Sequence, residues 1–206
     1  MAPPRNAALC GFGAVALALA TPLLAAAARP EYDACAQYIS ELGERGAPHE
    51  LLVRFAGFLP IGLLALGFST FAAVAAEDRR ARTGFALFSG VGGAYVVAAF
   101  FPCDPGCPSP GSTTQQVHSA SALLEYLGGG IGLLWLSPAR DAGSRALARL
   151  ARASGVVALI AFAGLLTPQL APLRGAVQRV AELALFGWVL AYCVDHARHR
   201  EVAGRR

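Results

Sequence analysis

Six apolar runs constrain this chain more than any other feature of its sequence. Each is close to the length of about 17 to 25 residues that an α-helix needs to cross a bilayer. Short polar or Pro/Gly-rich segments separate them. The runs cover residues 7–28, 51–76, 84–101, 116–136, 147–167 and 173–194. They predict an all-α fold, a polytopic membrane helix bundle of six transmembrane helices that forms a single integral membrane domain over residues 1–206.

The composition agrees with a membrane protein. Charged residues make up 15% of the chain, against about a quarter in an ordinary soluble domain, and the mean hydropathy is +0.50. The net charge is +4, and all 17 basic residues are arginines, which cluster in short loops between the apolar runs. Because no basic stripe with interleaved stacking aromatics accompanies them, the composition argues against nucleic-acid binding.

The distribution of arginine predicts the orientation. Arginines are concentrated on alternate connections, at position 5, at 79–82, at 140–152 and in the tail from 198 to 206. The intervening connections and their helix ends hold only Arg29, Arg45, Arg54, Arg174 and Arg179. By the positive-inside rule both termini are cytoplasmic, and 29–50, 102–115 and 168–172 face outward.

The first apolar run has a second interpretation. Arg5, the apolar residues after it and the alanines at 25–28 resemble a signal peptide with a cleavage site. The run is longer than the usual signal core of about 7 to 15 residues, which favours a retained helix. In both interpretations the loop that follows lies outside.

Small residues and proline predict how the helices meet. Ser89 and Gly93 on the third helix, and Gly128 and Gly132 on the fourth, have the spacing that lets membrane helices approach closely within one chain. Pro60 interrupts the second helix, either as a packing kink or as a hinge. In the first outer loop, the segment 38–43 is either part of a solvated connection or an interfacial half-helix.

The second outer loop carries the pair Cys103 and Cys107 around a tight turn. An oxidising outer compartment and this turn permit a disulfide between them, although Cys35 also lies outward and leaves three pairings open. A metal site would use both cysteines with Asp104 and His118. Zinc sites usually have four committed nitrogen or sulfur ligands, so we predict neither a metal nor another cofactor.

Ionisable side chains lie within the apolar runs at one depth. His118, Ser121 and Glu125 are spaced i, i+3 and i+7, on one helical face. The same outer half of the bundle contains Arg54, Gln178, Arg179 and Glu182. A charge near the bilayer centre costs about 2.5 to 3.5 kcal/mol, so these groups should turn inward. We expect Glu125 or Glu182 to pair with Arg179 or Arg54.

Two interpretations of this polar set remain open. It is either a structural network that joins helices two, four and six, or a water-accessible pocket that opens outward. In the second case His118 would transfer protons, since histidine changes charge near neutral pH. The predicted catalytic residues are then His118, Glu125 and Asp104, and the predicted substrate-binding residues are Glu41, Arg54, Gln178, Arg179 and Glu182.

Three stretches carry a resemblance to a known family. They read YDACAQYISELGERGAPHELLVRFAGF, FFPCDPGCPSPGSTTQQVHS and RGAVQRVAELALFGW. They resemble the bacterial membrane family catalogued as domain of unknown function 998, over residues 11–192. The YISE stretch is also similar to eukaryotic FRAG/DRAM-type membrane proteins, some of which are implicated in lipid-anchor remodelling or lysosomal biology. The resemblance implies six helices in the inner (plasma) membrane of a bacterium, and no particular chemistry.

Three functions therefore compete. The first is an enzyme or binding protein that acts on membrane lipids or lipid headgroups through the outward pocket. The second is a small-solute or proton-coupled transporter that uses the same carboxylates. The third is a non-catalytic membrane scaffold. The chain has no G-x-S-x-G, H-E-x-x-H, Walker A or dinucleotide-binding fingerprint to select a reaction.

Overall fold

The computed structural model describes residues 5–139 and 144–204, with side chains described to residue 198. It consists of six long helices and, in these residues, no strand. The helices are α1 (Arg5–Ala27), α2 (Glu50–Ala75), α3 (Arg79–Phe100), α4 (Thr113–Leu136), α5 (Arg145–Leu165) and α6 (Arg174–Gly204). All six are long and apolar enough to span a membrane, which confirms the predicted all-α bundle.

The helices begin earlier than the apolar runs wherever a polar residue caps them. Asp78 accepts a hydrogen bond from the Arg80 backbone N–H at 2.9 Å, so α3 begins with its arginines and not at residue 84. Ser112 caps α4 and Ser144 caps α5 in the same way, each at 3.2 Å. Arg140, Arg205 and Arg206, which contribute to the predicted orientation, lie outside the described residues.

Two helices contain a wider π turn. In α2 it covers Val53–Phe58 and ends two residues before Pro60. Proline lacks an N–H and its ring would collide with the carbonyl four residues earlier, so the widened turn accommodates the proline that the sequence predicted as a kink or hinge. In α4 the π turn covers Leu124–Gly128 and therefore contains Glu125. Both turns lie in the half of the bundle predicted to be outer.

The helices form a ring. Each packs on its neighbours in sequence, and α6 closes the ring against α1. In the half away from the π turns, the interior is filled by interlocking aromatic rings. Phe68 lies edge-on to Tyr192 with ring centroids 5.5 Å apart, and Phe88 lies 5.5 Å from Trp188.

Glycines set the closest helix contacts. The predicted approach of Gly128 and Gly132 is confirmed, because a Cβ at either position would lie 2.8 Å from the α3 backbone. The prediction for Ser89 and Gly93 was wrong, since a Cβ on Gly93 would meet nothing within 4 Å. On α3 the neighbouring glycine takes that role: a Cβ on Gly92 would lie 2.7 Å from the Gly62 carbonyl oxygen of α2. Spacing identifies small residues but not which of them faces the partner helix.

The connections 28–49, 101–112 and 166–173 meet at one end of the bundle, which we call the roof. The roof contains a buried 3-10 turn, Ile39–Gly43, and a second 3-10 turn, Pro168–Leu173. Glu41 is only 1% exposed and accepts from the Arg174 guanidinium at 2.9 Å. Glu44 binds Arg29 at 3.1 Å and the Gly106 backbone N–H at 2.6 Å. The segment 38–43 is therefore a fixed part of the fold and not part of a solvated connection.

Candidate functional site

A cavity of about 690 Å³ lies beneath the roof. It is bounded by α3, α4, α5 and α6 and by the 3-10 turn of the first loop, with Phe58 of α2 at one side. Its walls are mainly small or apolar residues, such as Ala94, Ala98, Ala122 and Leu165. Polar side chains are concentrated at its two ends, the floor and the mouth. This size is in the range of small-molecule sites, about 300 to 1,000 Å³.

The floor of the cavity is a pair of carboxyl groups held by two phenols. Tyr95 donates its hydroxyl to Oε2 of Glu182 at 3.0 Å, and Tyr126 donates to Oε1 at 3.2 Å. The Glu125 carboxyl adjoins that of Glu182, and both residues are buried. Oε1 of Glu125 has no hydrogen-bond partner within the described residues.

This geometry implies a bound proton. Two carboxylates that adjoin in an apolar interior repel each other strongly if both are charged. A single proton on Glu125 converts the repulsion into a hydrogen bond to Glu182, and it gives the unpartnered oxygen a role as donor. Two adjoining carboxyl groups in such surroundings can share one proton.

The residues that α4 contributes to this floor lie in its π turn. Glu125 and Tyr126 both line the cavity and both belong to the turn Leu124–Gly128. The turn Leu124–Gly128 widens the helix at this point. Such π turns are frequent at functional sites. His118, Ser121 and Glu125, which the sequence predicts on one helical face, all line the cavity, together with the residues between 118 and 123.

The mouth of the cavity lies against the roof. The Arg174 guanidinium stacks over the Tyr38 ring at 4.5 Å and donates to the Ala36 carbonyl at 3.1 Å. Burial raises the pKa of the Tyr38 phenol above its ordinary value. His118 places Nδ1 2.9 Å from the Phe101 carbonyl oxygen. Gln115 and Ser119 add further polar atoms to the lining.

The cavity opens sideways between α4 and α5. In the inner half these helices touch closely, since a Cβ on Gly130 would lie 2.7 Å from Leu159. In the outer half the segment 113–123 packs mainly on α3 instead. Leu123 and Leu166 line the cavity there and are 48% and 69% exposed. At these two exposed apolar residues the lining of the cavity reaches the surface of the bundle.

Four of the predicted site residues line the cavity, namely His118, Glu125, Gln178 and Glu182. Gln178 links the floor to the roof, because its side-chain oxygen accepts from the Ile39 backbone N–H at 2.7 Å. Its side chain also interacts with the Tyr126 hydroxyl.

Asp104 and Glu41 do not line the cavity. Each is bound instead to groups that hold the fold together. Asp104 accepts from the backbone N–H and the hydroxyl of Ser112, at 2.7 and 2.8 Å. These bonds, with a smaller effect of Arg45, hold the pKa of Asp104 below its ordinary value. The carboxylate therefore supports the start of α4 at neutral pH, and this support is lost as the pH falls through the lowered pKa. Glu41 is enclosed by the roof.

The expected pairing of a floor carboxylate with Arg54 or Arg179 was wrong. Arg54 donates to the Ala99 carbonyl at 2.8 Å, at the C-terminal end of α3, and lies 3.7 Å from Glu50. Arg179 donates to the Ala34 carbonyl at 2.7 Å and to the Tyr32 hydroxyl at 2.6 Å. Both arginines bind oxygens left free at helix ends and loops, while phenols satisfy Glu182.

Sequence reasoning missed Tyr95, Tyr126 and Arg174. The two tyrosines lie in apolar runs, where a phenol hydroxyl usually needs a partner, and that rule was the available signal. Arg174 lies at the start of α6, and the sequence pattern used it only to predict the orientation of the helices in the membrane. No local pattern places it above the cavity.

The cysteine pair of the second outer loop is joined. Cys103 and Cys107 form a disulfide, and Cys35 is a free, exposed thiol. Of the three pairings left open, the structure selects the local one. One His118 ring nitrogen lies within 4.8 Å of both sulfurs, so the metal alternative would use the same three residues without Asp104. Sulfurs joined in a disulfide are not available as metal ligands.

This arrangement predicts a labelling pattern. Intact cells treated with a membrane-impermeant maleimide should add one label, at Cys35, because Cys10 and Cys193 lie within helices. After denaturation without reduction, the three free thiols should react, and reduction should raise the number to all five cysteines. Mass spectrometry measures each number. A Cys35→Ser control should remove the label from intact cells.

Two results would contradict this prediction. Five labels without reduction would exclude the disulfide. An unlabelled Cys35 in intact cells, with labelling after permeabilisation, would reverse the predicted orientation.

The fold and the cavity define the class: a six-helix multi-pass membrane protein with a buried pair of carboxyl groups beneath the roof. The chain belongs to the family described as Protein of unknown function (DUF998), whose family model matches residues 12–195. No curated protein and no solved structure matches the chain.

Proposed function

We propose that the cavity binds a membrane lipid or a lipid-like amphiphile from the outer leaflet of a bacterial inner (plasma) membrane. The lateral opening between α4 and α5 supports this proposal most directly. A cavity with apolar walls that opens toward the bilayer can admit a chain sideways, while its polar ends hold a headgroup.

The polar ends offer different chemistry. The mouth supplies Arg174, His118 and amide and hydroxyl groups, and the floor supplies the carboxyl pair. One protonated and one ionised carboxyl can serve as general acid and general base, so modification of the bound lipid is the finer form of the proposal. In that form His118 and Glu125 keep their predicted catalytic roles.

The test is lipid retention by a variant with a filled cavity. Ala98 lines the cavity from α3, and a phenylalanine there should occupy space needed by the ligand. We expect the wild-type protein to retain lipid through detergent exchange, and Ala98→Phe to retain several-fold less. Native mass spectrometry of the purified protein measures the bound lipid.

The control is Ala86→Phe, the same change on an exposed position of the same helix. It should retain lipid as the wild type does. If Ala98→Phe is folded and retains as much lipid as Ala86→Phe, the cavity is not the lipid site. The non-catalytic scaffold would then be the better description.

Proton-coupled transport is a second candidate, and the carboxyl pair is the observation that favours it. A buried group that holds one proton can exchange it for a solute that reaches the same place. This candidate requires release of the proton when a solute binds. That release is measurable in the purified protein.

A further inference from the structure

We infer that the floor of the cavity is a site for an alkylammonium ion, which competes with the shared proton for the pair Glu125 and Glu182. The inference rests on the proposed function, because it names the charge class of the amphiphile that the cavity binds. Three observations support the inference: the charges of the groups around the pair, the aromatic rings beside it, and the unpartnered oxygen of Glu125.

The first argument is charge. The titratable groups that face the pair are Tyr95 from α3 and Tyr126 from α4, and α5 contributes the apolar ring of Phe162. Within the described residues, no arginine or histidine contacts the pair. With one proton bound, the floor therefore keeps one negative charge that no side chain neutralises. A buried charge without a counter-charge is costly, so a cationic ligand would stabilise the site.

The second argument is the aromatic surround. The Tyr126 ring stacks on Phe162 with centroids 5.6 Å apart, and the Tyr95 ring meets Phe58 edge-on at 5.9 Å. All four rings line the cavity. Aromatic faces beside a carboxylate are the usual surroundings of a bound quaternary or primary ammonium group. A neutral polyol would gain hydrogen bonds here but no such attraction.

The third argument concerns the proton. Oε1 of Glu125 is buried and has no hydrogen-bond partner in the part of the chain that the structure describes, and a proton on Glu125 accounts for it. An arriving cation stabilises the doubly ionised pair and thereby expels this proton. Binding should release up to one proton per chain, and the cation and the proton should bind in alternation.

The experiment compares two amphiphiles with equal chains. Octyltrimethylammonium and octyl glucoside are titrated into the full-length protein in phosphatidylglycerol nanodiscs, by calorimetry in two buffers of different ionisation enthalpy. We expect the cation to bind the wild type at least about tenfold more tightly than the glucoside. The difference in heat between the buffers should show proton release for the cation only.

Variants assign the effect to the pair. Glu125→Gln and Glu182→Gln each replace a carboxyl with a neutral group of the same shape that still hydrogen-bonds to its neighbour. Both should abolish proton release and weaken cation binding at least about tenfold, without affecting octyl glucoside. Glu77→Gln, the same change at an exposed position outside the cavity, should behave as the wild type.

The source of the ammonium group is tested by the disc lipid. If the headgroup of phosphatidylethanolamine is the occupant, discs that contain this lipid should weaken the binding of octyltrimethylammonium. If the occupant is a free organic cation, the disc lipid should make no difference.

The outcomes separate this inference from the proposed function. Equal binding of both amphiphiles, or cation binding without proton release in the wild type, would overturn the ammonium site and leave lipid binding intact. Failure of both amphiphiles to bind, together with no retained lipid, would overturn the proposed function itself. The wild-type proton release decides the matter even if a glutamine variant does not fold.

Discussion

Replacing Arg174 with methionine is expected to lower the free energy of unfolding by about 3 to 5 kcal/mol. Glu41 is 1% exposed, and its one cationic partner among the contacts described is Arg174, at 2.9 Å. Methionine keeps much of the side-chain volume but leaves this carboxylate buried without a counter-charge. The loss is measured by chemical unfolding of the purified protein in detergent.

Arg45→Met is the matched control. Arg45 is half exposed and lies 3.6 Å from Asp104 at the surface of the roof, so its removal should cost less than about 1 kcal/mol. The double change Arg174→Met with Glu41→Gln should recover part of the loss, because the uncompensated charge is gone. Equal effects of Arg174→Met and Arg45→Met would show that the roof is not held by this ion pair.

Replacing Gly92 with alanine is the second change for which we expect a large effect. The added Cβ would lie 2.7 Å from the Gly62 carbonyl oxygen and 2.7 Å from the Leu66 backbone nitrogen. Backbone atoms cannot rotate away, so α2 and α3 must separate. We expect a loss of about 1 to 3 kcal/mol, in the range of overpacked cores. Thermal unfolding in detergent measures it.

The next residue supplies the control. Gly93→Ala adds the same methyl group to the same helix, where nothing lies within 4 Å. Alanine favours the helix over glycine by about 0.5 to 1 kcal/mol, so this variant should be as stable as the wild type or more stable. If the two variants unfold alike, the close approach of α2 and α3 at Gly92 is wrong.

The two predictions concern different ways of holding a membrane bundle together. Between apolar helices in lipid, burial gives little preference for contact with protein over contact with lipid, so close backbone approach through glycine determines the fit. At the roof, which lies at one end of the bundle, charge pairs hold the connections in place. The cavity lies between these two regions, and rigid boundaries on both sides keep its shape.

Sequence by itself determined the architecture. Six runs of membrane length leave helices as the only way to satisfy the backbone, and the capped starts of α3, α4 and α5 shift the boundaries only by a few residues. It also determined which helix faces carry chemistry. His118, Ser121 and Glu125 lie on one face because helical periodicity alone places them there.

Only the tertiary structure decided which groups meet. Arg54 and Arg179 lie in amphipathic patterns like that of Glu125. In the folded chain, however, they donate hydrogen bonds to carbonyl oxygens of distant segments. Glu182 instead meets Tyr95 and Tyr126, which are 87 and 56 residues away. Partners in a membrane interior are chosen by the arrangement of helices around them, since most buried polar atoms bond to a compatible group within reach. That arrangement is a property of the whole ring and is not contained in any single helix.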